Sequence, residues 1–199
     1  MVKQLQTNKI GLFFGSFNPI HNGHLIIADY IVDNTPLEQI WFVVSPQNPF
    51  KSPQDLLNDK IRLHLVEIAI KGNKNFLASD VEFGLEKPSF TINTLNYLKS
   101  KHQEKEFSLI IGKDNLETFH KWKNYEEIIN NHKIYVYPRP FVKIEKNIKH
   151  NNIINVEAPQ IEISSTKIRE NIRTKHSIRY LLPEKVIKEI QKNKYYCNS

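Results

Sequence analysis

The chain has one cysteine, Cys197, and only six glycines. A single thiol cannot form an internal disulfide and cannot supply a thiolate zinc site, a usage that suits a reducing cytosol. The glycines stand at 11, 15, 23, 72, 84 and 112. That spacing excludes both the GxxxxGK[ST] of a P-loop and the GxGxxG of a dinucleotide-binding turn. No apolar run approaches the roughly 20 residues that a membrane-spanning helix needs. The start, Met1-Val-Lys-Gln-Leu-Gln-Thr-Asn8, is too polar for a secretory h-region. No lysine/arginine tract is interleaved with aromatics in the manner of a single-strand nucleic-acid binder, and there are no internal repeats. These absences point to a soluble, cytoplasmic protein with no membrane or nucleic-acid partner.

What remains is ordinary for one globular core: 199 residues, 40% hydrophobic and 11% aromatic. We expect a single domain over 10–193, preceded by a polar extension, 1–9, and followed by a tail, 194–199. The formal charge of +7 favours anionic partners without choosing among nucleotide, nucleic acid and membrane surface. Lys185, Lys188, Lys192 and Lys194 read as a solvated helix face.

The most informative stretch is Ile10-Gly-Leu-Phe-Phe-Gly15-Ser16-Phe17-Asn-Pro19-Ile-His21-Asn-Gly23-His24-Leu25. Ile10 to Phe14 is a short apolar run, a strand buried on both faces, and from Gly23 onward Leu25, Ala28, Ile31 and Val32 recur at helical spacing. A strand, a glycine-punctuated turn and a helix start offer unpaired backbone N–H groups to an anion. Two imidazoles three residues apart can add donors to phosphate oxygens. The competing readings are a zinc pair, for which further ligands are lacking, or two residues capping a turn, which leaves the glycines and proline unexplained.

Further strands are expected at Ile40 to Val44, Phe76 to Phe83, Phe107 to Ile111, Lys133 to Tyr137 and Ile153 to Val156. Helices fit from Asn58 or Asp59 to Lys71 with Ile61, Leu65, Ile68 and Ala69 inward, then Thr91 to Lys101. Short helical stretches follow at Leu116 to Phe119 and Tyr125 to Asn130. The last helices are Ser165 to Arg173 and Pro183 to Asn193, the latter with proline in its first turn. Ser45 to Pro53, with three prolines, is a fixed loop, and 141–152 a polar one. Strands alternating with helices give an α/β, doubly wound parallel sheet with ligands at the carboxyl ends of its strands. At one such place Ile163-Ser164-Ser165-Thr166-Lys-Ile-Arg169 puts three hydroxyls at a helix N-terminus with a guanidinium one turn on. One serine would be a plain N-cap; three suggest a second phosphate clamp, with Arg169 gripping by its fork.

Gly15 to His24 resembles the (H/T)xGH motif of the nucleotidyltransferase superfamily, with its Gly-x-Phe-x-Pro lead-in. Together with Ile163 to Arg169 it looks like the paired motifs of bacterial nicotinate-nucleotide adenylyltransferases. Val44-Ser-Pro-Gln-Asn-Pro-Phe-Lys51, Pro88-Ser-Phe-Thr91, Ile111-Gly112-Lys-Asp114 with Phe119-His-Lys-Trp122, and Pro138-Arg139-Pro140 follow in the family's order, so the likeness runs over residues 10 to 190. It departs in Gly-Lys-Asp, where Gly-Gly-Asp or Gly-Gln-Asp is usual, and in the loop after Pro140. The resemblance implies a Rossmann-like nucleotidyltransferase fold and an enzyme that joins the adenylyl group of ATP to nicotinate mononucleotide. The products are nicotinate adenine dinucleotide and pyrophosphate, and a Mg2+ ion is held through the ATP phosphates with no protein metal ligands.

By the same resemblance His21 and His24 hold the ATP phosphates, with Gly15, Ser16, Phe17 and Gly23 shaping their turn. Ser164, Ser165, Thr166 and Arg169 take the pyrophosphate side. Gly112 and Asp114 serve the ribose hydroxyls, unless Asp114 is a helix cap. Trp122 stacks on the pyridine ring or is a core aromatic. Thr91 and the backbone near Lys123 receive the nicotinate carboxylate, while Arg139 and Lys51 reach the acceptor, Lys51 alternatively being a surface lysine. The remaining candidates are a phosphopantetheine or nicotinamide-mononucleotide adenylyltransferase, a cytidylyltransferase, and a basic nucleic-acid-binding module.

Overall fold

The computed structural model describes residues 8–46, 56–140 and 148–197. Its centre is a six-stranded sheet of β1 (Lys9–Gly15), β2 (Gln39–Val44), β3 (Phe76–Ser79), β4 (Glu106–Gly112), β5 (Ile134–Tyr137) and β6 (Ile153–Asn155). The order is β3-β2-β1-β4-β5-β6 and every pairing is parallel, with Leu12 beside Trp41 on one side and Leu109 on the other. Parallel strands covered on both faces need apolar side chains at successive positions, and Ile40 to Val44 are all buried. Alternation along each strand then divides the interior in two. Phe13, Phe42, Ile110 and Tyr135 face one side; Ile10, Leu12, Trp41, Val43, Leu109 and Ile111 face the other.

The first layer is covered by α1 (Asn22–Asn34), α2 (Asp59–Ile70), α6 (Ser165–Arg173) and α7 (Glu184–Asn193), the second by α3 (Thr91–Lys101), α4 (Lys113–Thr118) and α5 (Tyr125–Asn131). This is the doubly wound single domain expected. Its strand order reverses between β1 and β4, where a crevice opens at the carboxyl ends of the strands.

Several boundaries differ from the sequence expectation. The strand expected over Phe76 to Phe83 stops at Ser79 and turns into a 3₁₀ helix, Val81–Gly84, because Glu82 turns inward to hydroxyl partners. On α2 the buried stripe is Arg62, Leu65, Val66 and Ile70, while Ile61, Ile68 and Ala69 are only partly covered. Leu65 is common to both sets and the other three still pack against the core; what the expectation lacked is Arg62, Val66 and Ile70. Pro183 is the N-cap of α7 rather than part of its first turn. Within the expected tail, Tyr196 lies in the core with Tyr195 packed against it.

Candidate active site

The end of β1 is built around aromatic contact. Gly15 lacks a side chain where the Phe17 ring passes, since a Cβ there would lie 2.8 Å from Phe17 Cζ. Phe17 itself takes φ 43, in the left-handed region, which turns its ring back onto the strand and against His24, 5.1 Å away between centroids. His21 is the N-cap of α1 and only 4% exposed; its ring stacks on that of His24 at 3.6 Å. Gly23 makes that stack possible, because a Cβ would come within 3.0 Å of His21 Nδ1. The His21 backbone N–H donates to His24 Nδ1 at 3.2 Å, so His24 carries its proton on Nε2. Capping is therefore part of what His24 does. Burial, with Arg139 adding to the effect, pulls the His21 pKa down to about 3, so its imidazole is neutral at physiological pH.

Across the crevice α6 begins at Ser164, whose hydroxyl caps the helix by accepting from the Lys167 N–H at 3.2 Å. The plain-cap alternative holds for this serine. Ser165 Oγ donates to Pro19 O at 2.8 Å, and Arg169 Nη1 donates to Asn18 O at 2.9 Å; both tie α6 to the histidine turn. Thr166 is exposed at the same helix start. Among the described residues four buried atoms around the crevice lack a hydrogen-bond partner, Ser16 Oγ, His21 Nδ1, Arg139 Nε and Arg169 Nε. Buried polar atoms are nearly always satisfied, and an anionic ligand would satisfy these.

At the end of β4, Gly112 is the N-cap of α4 and Asp114 lies within its first turn, so the aspartate is not the cap. Its Oδ1 is 3.6 Å from Arg139 Nε, and Arg139 spans the Tyr137 ring at 5.1 Å. A Cβ on Gly112 would collide with both Asp114 and Arg139. Burial pushes the Tyr137 hydroxyl up to about 12. The third wall carries Pro88 to Thr91, with Thr91 the first residue of α3. Trp122 packs on Phe119 at 5.2 Å between centroids and still lines the crevice. The tryptophan is thus in part a core aromatic and in part open to the crevice. Lys123 Nζ sits 4.7 Å above the Phe90 ring, joining the two segments.

One cavity of about 940 Å³ is lined by Gly15, Ser16, Phe17, His21, His24, Thr91, Gly112, Asp114, Trp122, Lys123, Arg139, Ser164, Ser165, Thr166 and Arg169. Thus every candidate from the sequence reaches it except two. Gly23 stands behind the His21 ring, and Lys51 lies outside the described residues.

Residues 12–171 match the family model described as Cytidylyltransferase-like. A protein of Flavobacterium psychrophilum, described as a probable nicotinate-nucleotide adenylyltransferase, is 52% identical over 190 residues, covering 94% of this chain and 98% of its own. The chain belongs to the nicotinate-nucleotide adenylyltransferase family. A relative of the same description from Cytophaga hutchinsonii is 50% identical over 96% of this chain and 99% of its own. Two solved structures of Plasmodium falciparum nicotinic acid mononucleotide adenylyltransferase share the fold. The complex with NaAD has TM-score 0.81 at 22% identity, over 95% of this chain and 97% of that one. The complex with APC has TM-score 0.78 at 20% identity, over the same shares of the two chains.

Three residues of this family member escaped the sequence reading. Arg62 is wholly buried, and its guanidinium donates to four carbonyl oxygens, of Leu57 (2.8 Å), Ser16 (2.6 Å), Ser45 (2.8 Å) and Pro46 (3.0 Å). An arginine on the apolar stripe of α2 was the available signal. Glu82, 2% exposed, is bonded by the hydroxyls of Thr94, at 2.9 Å, Ser45 and Ser89; burial raises its pKa despite those bonds. Ser45 joins the two. Among the described residues no three His, Cys, Asp or Glu side chains are grouped to hold a metal ion, and no helix is long and apolar enough to cross a membrane.

Proposed function

We infer that the chain transfers the adenylyl group of ATP to nicotinate mononucleotide, forming nicotinate adenine dinucleotide and pyrophosphate in NAD biosynthesis. The observation that carries this reading is one cavity in which the two phosphate motifs face an aromatic and hydroxyl-bearing wall. The acceptor's own phosphate oxygen attacks the α-phosphorus. A new P–O bond forms as the bond from the α-phosphorus to the bridging oxygen of pyrophosphate breaks, so no protein nucleophile is needed and catalysis rests on positioning and charge stabilisation.

In this reading His24 donates from Nε2 and His21, neutral, shares the phosphate oxygens, while Ser16 Oγ and Arg169 Nε take anionic partners. The α6 N-terminus, with Ser164, Ser165 and Thr166, receives the departing pyrophosphate. Ser165 contributes backbone N–H and lone pairs, its own proton being committed to Pro19. Asp114 accepts from ribose hydroxyls and Arg139 holds the acceptor side. Trp122 stacks on the pyridine ring; Thr91, with the unpaired N–H groups at the α3 start and those near Lys123, receives the nicotinate carboxylate. Lys51 is assigned to the mononucleotide phosphate. A divalent cation accompanies ATP, and Mg2+, bound through phosphate oxygens rather than a protein cluster, would neutralise charge between them. With one cysteine we place the protein in the cytoplasm.

The test is pyrophosphate release from ATP and Mg2+ with nicotinate mononucleotide, its amide analogue, or phosphopantetheine. The acid should win over the amide by roughly tenfold to a hundredfold, because the amide brings a donor against donors at about 1–3 kcal/mol per group. Trp122→Ala should harm use of the acceptor more than that of ATP. Equal use of acid and amide, or a defect confined to ATP, would remove Thr91 and Trp122 from the pyridine pocket.

A further inference from the structure

Ser45, the residue that follows β2, commits all three of its polar groups beside the cleft. Its N–H donates to Gly15 O at 2.9 Å. Its carbonyl accepts from Arg62 Nη1 at 2.8 Å, and its hydroxyl bonds to the Glu82 carboxylate. Arg62 continues to Ser16 O, in the phosphate turn. Glu82 continues to Thr94, on α3, and to Ser89, beside Thr91. A continuous path of hydrogen bonds therefore runs from the loop assigned to ATP to the wall assigned to the acceptor.

Stability is a poor explanation for it. A buried guanidinium costs several kcal/mol in desolvation, and on a stripe shared with Leu65, Val66 and Ile70 an apolar side chain would pack without that cost. All four acceptors of Arg62 are neutral carbonyls, so among the described residues no acid cancels its charge by direct contact. What an apolar residue cannot supply is the planar fork, which here fixes the ends of two loops against each other.

We propose that Arg62, Ser45 and Glu82 form a positioning unit that sets the distance between the two substrates' walls. The proposal rests on the division of the cavity given above. Attack on the α-phosphorus needs reacting atoms about 3–3.5 Å apart, and a shift of about 1 Å can cost roughly a hundredfold. A loosened unit should thus lower kcat while each substrate still binds its own wall.

The experiment uses Ser45→Ala, Glu82→Gln and the double variant, with Arg62→Lys as a third site, each shown folded by thermal melting. Expected are kcat values down by about tenfold or more, KM for ATP within about twofold of wild type, and strong non-additivity of Ser45 and Glu82 in the double variant. Unchanged kcat in folded Ser45→Ala and Glu82→Gln, or simple additivity, would overturn the unit. Ser45 is half-buried and loses only a hydroxyl, so it decides the matter if Arg62→Lys does not fold. Hydrogen exchange supplies a readout free of activity: in Ser45→Ala the amides of 15–17 and of 90–94 should lose protection together, and unaltered protection would equally refute the proposal. A wild type inactive with nicotinate mononucleotide would instead sink the functional reading, leaving the exchange result to judge the unit.

Discussion

His21 and His24 occupy one stacked pair yet differ in what they can do. His24 has its tautomer set by the His21 N–H, which puts its proton on Nε2, the atom proposed to meet charge that develops during transfer. Removing one such donor commonly costs about 3–4 kcal/mol, or roughly 10²–10³ in rate. His24→Ala, and likewise His21→Ala, should show that loss in pyrophosphate release with circular dichroism unchanged; near-normal turnover in a folded variant would contradict the role. His21 also leaves a mark on stability. Its folded pKa, about 3, lies below the ordinary 6.5, so the unfolded chain takes up the proton first. The contribution is complete above about pH 6.5 and is lost as the pH falls from there toward the folded value, at up to ~1.4 kcal/mol per pH unit. Denaturant melts between about pH 6.5 and 4 should therefore steepen in wild type relative to His21→Asn; parallel curves would mean that the imidazole is hydrated.

Among the elements, α4 shows how little space separates the parts of the site. Gly112→Ala would place a methyl group against Asp114 and Arg139, and overpacking of this kind costs about 1–3 kcal/mol. The expected outcome is a lower melting temperature and kcat/KM down by about tenfold; wild-type kinetics would show that the pair yields freely. Helices α3 and α6 were legible to the residue, since Thr91 and Ser165 follow extended segments and an apolar stripe runs to Lys101 and Arg173. The strands were legible as apolar runs, and both phosphate motifs as clusters of donors that capping alone did not require. What could not be read were the contacts between distant segments. Nothing local marks the end of β3 at Ser79, because the partners that turn Glu82 inward lie at Ser45, Ser89 and Thr94. Arg62 drew no reading because its acceptors are backbone carbonyls, which no side-chain pattern reveals.

At the scale of the molecule, α1, α3 and α6 all begin at the cavity, so the positive ends of three helix dipoles converge where two anionic substrates are proposed to meet. The net charge of +7 adds a general attraction but not this focus. Late in the sequence, Tyr196 packs in the same core layer as α1, α6 and α7; it is 7% exposed, and its hydroxyl has no partner among the described residues. An unsatisfied buried hydroxyl costs about 1–3 kcal/mol. Tyr196→Phe should accordingly be neutral or stabilising in a thermal melt, and a clear loss of stability would reveal a partner for the hydroxyl. The placement of the two tryptophans has a practical consequence. Trp41 is sealed under the sheet with its indole N–H on Gln39, at 2.7 Å, whereas Trp122 borders the cleft. Trp41 lies away from the cleft, so under the proposed assignment a fluorescence change on adding the acceptor should come from Trp122, and Trp122→Phe should abolish it. On that assignment the protein carries its own optical gauge of acceptor occupancy, readable without a label and before any turnover.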